Sequence, residues 1–237
     1  MSKPKVLFFD IETSPNLAYV WGKWEQDVIA FESEWQIMSI AWKWQGAAKV
    51  HCMTASVEVS DEAVCKKLHE LLSEADVVIA HNGDEFDLKK ARARFVVHGF
   101  KPLKPLATVD TLKVAKKYFK FNSNKLDDLG KTLGVGRKVK HSGFDMWLGC
   151  LKGNSKSWAK MAHYNKQDVK LLERVYLKLK PWMERHPNLA ALQDKKGCPG
   201  CGSKNVVKWG LRPTANGVQQ RNLCKGCGAY HMTRRVK

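Results

Sequence analysis

Acidic side chains are scarce in this sequence: its 237 residues carry 23 Asp and Glu against 41 Lys and Arg, a formal net charge of +18 at pH 7. A balance so far from zero exceeds what solubility requires and favours a polyanionic partner, nucleic acid first. Long apolar runs are missing, so no stretch has the length needed to cross a bilayer. An amphipathic basic helix or a lipidation motif is missing too, which removes the usual routes of a basic protein to a membrane surface. Near the N-terminus only Val6 to Phe9 separate Lys5 from Asp10, too short an apolar core for a secretory signal, so the expected compartment is the reducing cytoplasm. Internal repeats and low-complexity tracts are absent. Disulfide-style cysteine spacing is absent as well: Cys52, Cys65 and Cys150 stand singly and read as small core residues, while the other four cysteines form two Cys-x-x-Cys pairs.

What is present is enough apolar sequence for one sizeable core plus a small appended unit. Val6 to Ile11 reads as a buried strand, followed by short strands at Ile37 to Trp44 and Val50 to Met53, three close neighbours that suggest an antiparallel meander. Ser60 offers a helix N-cap, with Asp61 and Glu62 in the first turn and Val64, Leu68, Leu71 and Leu72 at helical spacing. Val77 to Ala80 is a fully apolar strand that ends at the turn His81-Asn82-Gly83, and a helix follows over Phe86 to Val97. Val109 to Leu112 reads as a strand end or as the start of a helix reaching Phe119. A last long helix is expected from Trp158 to Leu179, interrupted near Pro181 and closed by Pro187. Strands in a meander, then strands alternating with helices, predict an α/β mixed sheet flanked by helices.

Leu192 to Gly197 marks a boundary, giving a main domain over residues 1–190 and a small one over 197–237. Residues 191–237 hold ten Lys or Arg against Asp194 alone, half of the net charge in a fifth of the chain. Lys101 to Lys140 is a second basic stretch, with eleven Lys or Arg against three acids, and such a run ordinarily forms a solvated face.

In so basic a chain the informative residues are acids at strand ends. Asp10 and Glu12 are two apart on a strand, so both point to one side of the sheet. Two carboxylates held together need a neutralising cation, and hard oxygen ligands suit Mg²⁺ or Mn²⁺; the plain alternative is a solvated strand end.

FDIET (Phe9 to Thr13), HNGDEFD (His81 to Asp87) and HYNKQD (His163 to Asp168) occur in that order. With these three motifs, residues 4–187 resemble the DEDD superfamily of RNase H-like 3′→5′ exonucleases, which includes polymerase proofreading domains. The DTL string at Asp110 and KLDDLGKTLG from Lys125 add looser similarity. The resemblance implies an RNase H-like fold in which Asp10, Glu12, Asp87 and Asp168 hold two Mg²⁺ or Mn²⁺ ions that together drive phosphodiester hydrolysis. It offers Thr13, Asn82 and Phe86 as contacts to the 3′-terminal nucleotide, although a phenylalanine at helical spacing is more often core. The third motif fits both versions found in the family, Tyr164 four residues before Asp168 and His163 five before it. At 100° per residue Tyr164 lies about 40° from Asp168 and His163 about 140° away, so a continuous helix favours Tyr164 on the catalytic side, with His163 the alternative catalytic residue.

Cys198-Pro-Gly-Cys201 and Cys224-Lys-Gly-Cys227 make two knuckles suited to one tetrahedral, structural Zn²⁺. This segment resembles zinc ribbons of insertion-sequence transposases and transcription proteins, and its basic surplus suggests that it holds nucleic acid; a protein-docking ribbon is the alternative. The expected function is a 3′→5′ exonuclease acting on single-stranded DNA. Its rivals are an exoribonuclease and a non-catalytic adaptor whose ribbon targets nucleic acid. A chain too short to include a polymerase would need a replication or repair partner for proofreading.

Overall fold

The structure is a computed structural model that describes residues 4–24, 27–55, 60–140, 142–193, 197–215 and 217–234. The expected boundary at Leu192 to Gly197 falls partly on residues 194–196, and Lys195, Lys196, Arg235 and Lys237 of the basic count also lie outside the described residues.

The first apolar run becomes strand β1 (Val6–Thr13), the centre of a five-stranded sheet. On one side it pairs antiparallel with β4 (Ile37–Trp44), which pairs with β5 (His51–Thr54). On the other it runs parallel to β6 (Val77–Ala80), which is parallel to β7 (Ala107–Asp110). The expected meander is therefore β1-β4-β5, with a hairpin inserted between its first two members: β2 (Leu17–Tyr19) and β3 (Ala30–Ser33), exposed along both strands.

Because β1 is covered on both faces, Val6 to Phe9 form an unbroken apolar run and Ile11 continues it beyond Asp10. Leu7, Phe9 and Ile11 pack against Val64, Leu68 and Leu72 of α1 (Glu62–Glu74) and Leu88 and Phe95 of α2 (Asp87–Val97). Val6 and Phe8 pack on the opposite side, against Leu129 of α4 (Leu126–Thr132) and Val169, Leu172 and Tyr176 of α6 (Ser155–Leu179). Two further helices, α3 (Thr111–Tyr118) and α5 (Asp145–Leu151), complete that layer. Strand parity then decides the site: Asp10 and Glu12 continue the Val6, Phe8 series and face α6.

Several local expectations shift. Helix α6 starts three residues before Trp158, because the side chain of Asn154 accepts the N–H groups of Lys156 (2.9 Å) and Ser157 (3.1 Å) and caps it there. Ser60 Oγ does accept the Glu62 N–H (3.0 Å), but the N-cap of α1 is Asp61 rather than Ser60, and Asp61 is no solvated first-turn acid. It is fully buried, accepting Arg94 Nε (2.8 Å), Arg94 Nη2 (2.6 Å) and the Ile37 N–H (2.8 Å), and so ties α1 to α2 and β4. The Val109 to Leu112 ambiguity resolves as both, with β7 ending where α3 begins.

The C-terminal region forms a separate three-stranded antiparallel sheet of β8 (Val206–Thr214), β9 (Gly217–Cys224) and β10 (Tyr230–Arg234), in the order β10-β9-β8.

Candidate active site

β1, α2 and α6 bring four carboxylates together. Asp10 and Glu12 project from β1, and their oxygens lie within 4.8 Å of one another and of those of Asp168 on α6. Asp87, the first residue of α2, completes the group, its Oδ1 accepting the backbone N–H of Ile11 (3.0 Å). That turn is tight by necessity. A side chain at Gly83 would meet Ala80 Cβ at 2.3 Å, and Asn82 adopts a left-handed φ of 65°. Asp110 holds the turn in place, accepting from the N–H groups of Asn82 (2.9 Å) and Asp84 (3.3 Å) while capping α3 through Leu112 (2.9 Å) and Lys113 (3.3 Å).

Crowding and burial set the electrostatics. Burial, then the charges of Asp87, Glu12 and Asp168, push the Asp10 carboxyl well above the usual range. Glu12 rises to about 8, through burial and the neighbouring Asp168. Burial lifts Asp87 to about 7, against the Ile11 N–H bond that favours its anion. Among the described residues one cation lies with them: Lys138 donates to Asp168 and to the Tyr164 hydroxyl (3.0 Å), and its own N–H is fixed by Asp127 of α4 (2.7 Å). A single ammonium under-compensates four acids, and a dense set of hard oxygens is the donor chemistry of Mg²⁺ and Mn²⁺, so the residues fit divalent ions.

Tyr164 and His163 separate as the helix geometry requires. Tyr164 is buried beside Asp168, and its phenol is pushed up by burial and by the Asp168 charge; His163 is exposed. Of the other sequence candidates, Thr13 follows a bulge in β1, and its carbonyl accepts the Trp147 indole N–H (3.2 Å). Asn82 lines a cleft of about 650 Å³ that also reaches Lys138, Lys116 and Lys125. Phe86 is not core: it is 38% exposed at the start of α2, with Lys90 Nζ 5.9 Å from its ring.

Sequence reasoning missed Lys138, which sits in the stretch read as a solvated face; one basic residue among eleven carries no mark that it turns inward. It also missed Asn165, buried and donating to Ser39 Oγ (2.9 Å) across α6 and β4. Asp110 carried a faint mark, the DTL string, but its work is to hold the turn.

The four knuckle cysteines converge. Sγ of Cys198 lies 3.7 Å from that of Cys227, and Cys201 lies 3.6 Å from Cys224. Tetrahedral zinc with bonds of about 2.3 Å sets its sulfurs about 3.8 Å apart, so the cluster is consistent with a zinc ribbon. Lys180, buried just beyond α6, faces these thiols and fits the net negative charge that a four-thiolate zinc centre carries. Asp61, Cys65 and His98 form a third grouping, but the two Arg94 bonds already neutralise its carboxylate, so it is a structural ion pair.

With this fold and this site, the chain belongs to the RNase_H superfamily, whose family model matches residues 7–180. Among solved structures it is similar to the family B DNA polymerase of the hyperthermophilic archaeon Pyrobaculum calidifontis, with a TM-score of 0.57 and 17% identity. That likeness, one of fold, covers 76% of this chain and 25% of the polymerase. No curated protein matches the chain in sequence. Among the described residues no helix is long and apolar enough to cross a membrane.

Proposed function

We propose that this chain is a metal-dependent 3′→5′ exonuclease that removes nucleotides from single-stranded DNA by a two-metal mechanism, residues 1–190 forming the nuclease and 197–237 a zinc ribbon that helps hold the strand. The observation that carries this reading is the convergence of Asp10, Glu12, Asp87 and Asp168 from three separate elements. These four would hold two Mg²⁺ or Mn²⁺ ions, which when bound acidify the attacking water and offset charge on the leaving oxygen. Tyr164 orients that water through its hydroxyl. Lys138 positions Tyr164 and Asp168 by its two hydrogen bonds. Thr13, Asn82 and Phe86 flank the carboxylates and contact the 3′-terminal nucleotide. Similarity to a DNA polymerase favours DNA over RNA and a replication or repair protein as partner.

A 5′-labelled single strand, DNA beside RNA, incubated with Mg²⁺, Mn²⁺ or EDTA, tests this directly. A ladder shortening from the 3′ end, faster on DNA and absent in EDTA, is expected. Faster RNA degradation would shift the substrate, and binding without any degradation would leave an adaptor.

A further inference from the structure

Helix α6 links the carboxylates to the cysteine region. Leu179 is its last residue, eleven beyond Asp168, or about 17 Å along the axis at 1.5 Å per residue. The knuckle docks just past that end, where the Leu189 N–H donates to the Pro199 carbonyl (2.8 Å). Between them opens a groove of about 610 Å³. Arg185 and His186 line it from the chain after α6, Arg212, Tyr230 and His231 from the C-terminal sheet, and Glu184 is its one acid. Arg185 and Arg212 are exposed, and among the described residues neither is paired with a carboxylate. At the rim Tyr230 (46% exposed) lies beside Trp209 (52% exposed), their ring centroids 6.4 Å apart.

Unpaired arginines beside exposed rings match the chemistry of a single nucleic-acid strand, whose phosphates take guanidinium and whose bases stack on aromatics. We propose that this groove is a second strand-binding site. A strand with its 3′ end at the carboxylates continues along α6, places phosphates on Arg185 and Arg212, and stacks a base at Tyr230 and Trp209. The span of about 17 Å is covered by at most about five nucleotides at the stacked 3.4 Å rise of one duplex strand, and by fewer when the strand is extended, so only a very short strand is confined to the carboxylates. This inference rests on the nuclease reading for the position of the 3′ end.

The test uses the full chain and two oligothymidylates, of about two and about twenty nucleotides, the first too short to leave the carboxylates and the second long enough to fill the groove. Binding is measured by fluorescence anisotropy in EDTA and hydrolysis in Mn²⁺. Arg185→Ala/Arg212→Ala should weaken binding of the long strand roughly tenfold and lower its salt slope by about 1.4, the value for two phosphate contacts on a single strand. Hydrolysis of the short strand should be unchanged. Trp209→Ala should weaken the long strand roughly fivefold or more through lost stacking. Zinc content and melting temperature report whether each variant is folded. Unchanged long-strand binding would overturn the proposal and leave the groove to a protein contact; equal losses on both strands would overturn it as well. A wild type that binds the long strand through these residues but hydrolyses neither strand would instead refute the nuclease reading.

Discussion

Tyr164 and His163 are adjacent in sequence and part ways on α6, the tyrosine turned in beside Asp168 and the histidine out to solvent. Tyr164→Phe should therefore lose most exonuclease activity while His163→Ala loses little; steady-state rates on one labelled strand decide, and the reverse pattern would transfer the role to His163. Asp61 makes a separate residue-scale case, because burial alone would raise its carboxyl. Hydrogen bonds from Arg94, Ile37 and His98 outweigh that and hold it below the usual range. A folded pKa below the unfolded value of about 3.9 contributes stability that is present above that value and is lost as pH falls through the folded pKa. Urea midpoints should accordingly drop on acidification below about pH 4, and Asp61→Asn should lack that component. The substitution leaves Arg94, only 12% exposed, without its counter-ion, at a cost of about 3 kcal/mol near neutral pH. An Asp61→Asn midpoint equal to wild type would show that the pair does not hold α1 to α2. Neither this pairing, 33 residues apart, nor the inward turn of Lys138 was legible in the sequence, since both depend on which elements the fold sets face to face.

At the scale of elements, legibility follows burial. β1, β4 and β6 are largely buried on both sides and show as strands dominated by apolar residues, unbroken in β6 and in the first half of β1, so the sequence places them to within two residues. The β2–β3 hairpin was missed because its seven strand residues are all exposed and no face of it alternates against a core. Helices α4 and α5, seven residues each, are too short to show a period. An isolated two-stranded hairpin is marginally stable, so amide exchange should be fast in Leu17–Tyr19 and Ala30–Ser33 and slow in β1 and β6. Strong protection of the hairpin in the free chain would show that something covers it. The cysteine cluster was legible from spacing alone, and its dependence on metal is a matter for measurement. About one zinc per chain is expected, and chelation should release protection in β8–β10 while leaving the β1 sheet protected. A protected β8–β10 sheet in a zinc-free chain would contradict the ribbon reading.

For the molecule as a whole, a chain of net charge +18 gathers Asp10, Glu12, Asp87 and Asp168 in one place, and the proposed function uses both features, polyanion attraction to bring the strand and bound cations to neutralise the acids it meets. Removing residues 197–237 should weaken single-strand binding and flatten its salt dependence, and an unchanged slope would leave that region to protein docking. The motifs of the site were legible because each acid sits in a short string on a single element; their convergence, and the path from them along α6, emerge only from the packing of β1, α2 and α6. The central claim, that these carboxylates form a divalent-metal hydrolytic site, is tested most directly by titrating Mn²⁺ into the full chain and following both ion binding and 3′-end release, in wild type, Asp10→Ala and Asp87→Ala. Wild type should bind two ions and turn over, and each variant should lose ion binding and slow roughly a thousandfold, the loss of about 4 kcal/mol of transition-state stabilisation, while still binding the strand in EDTA. Near-normal turnover in either variant, or hydrolysis by wild type in excess EDTA, would contradict it.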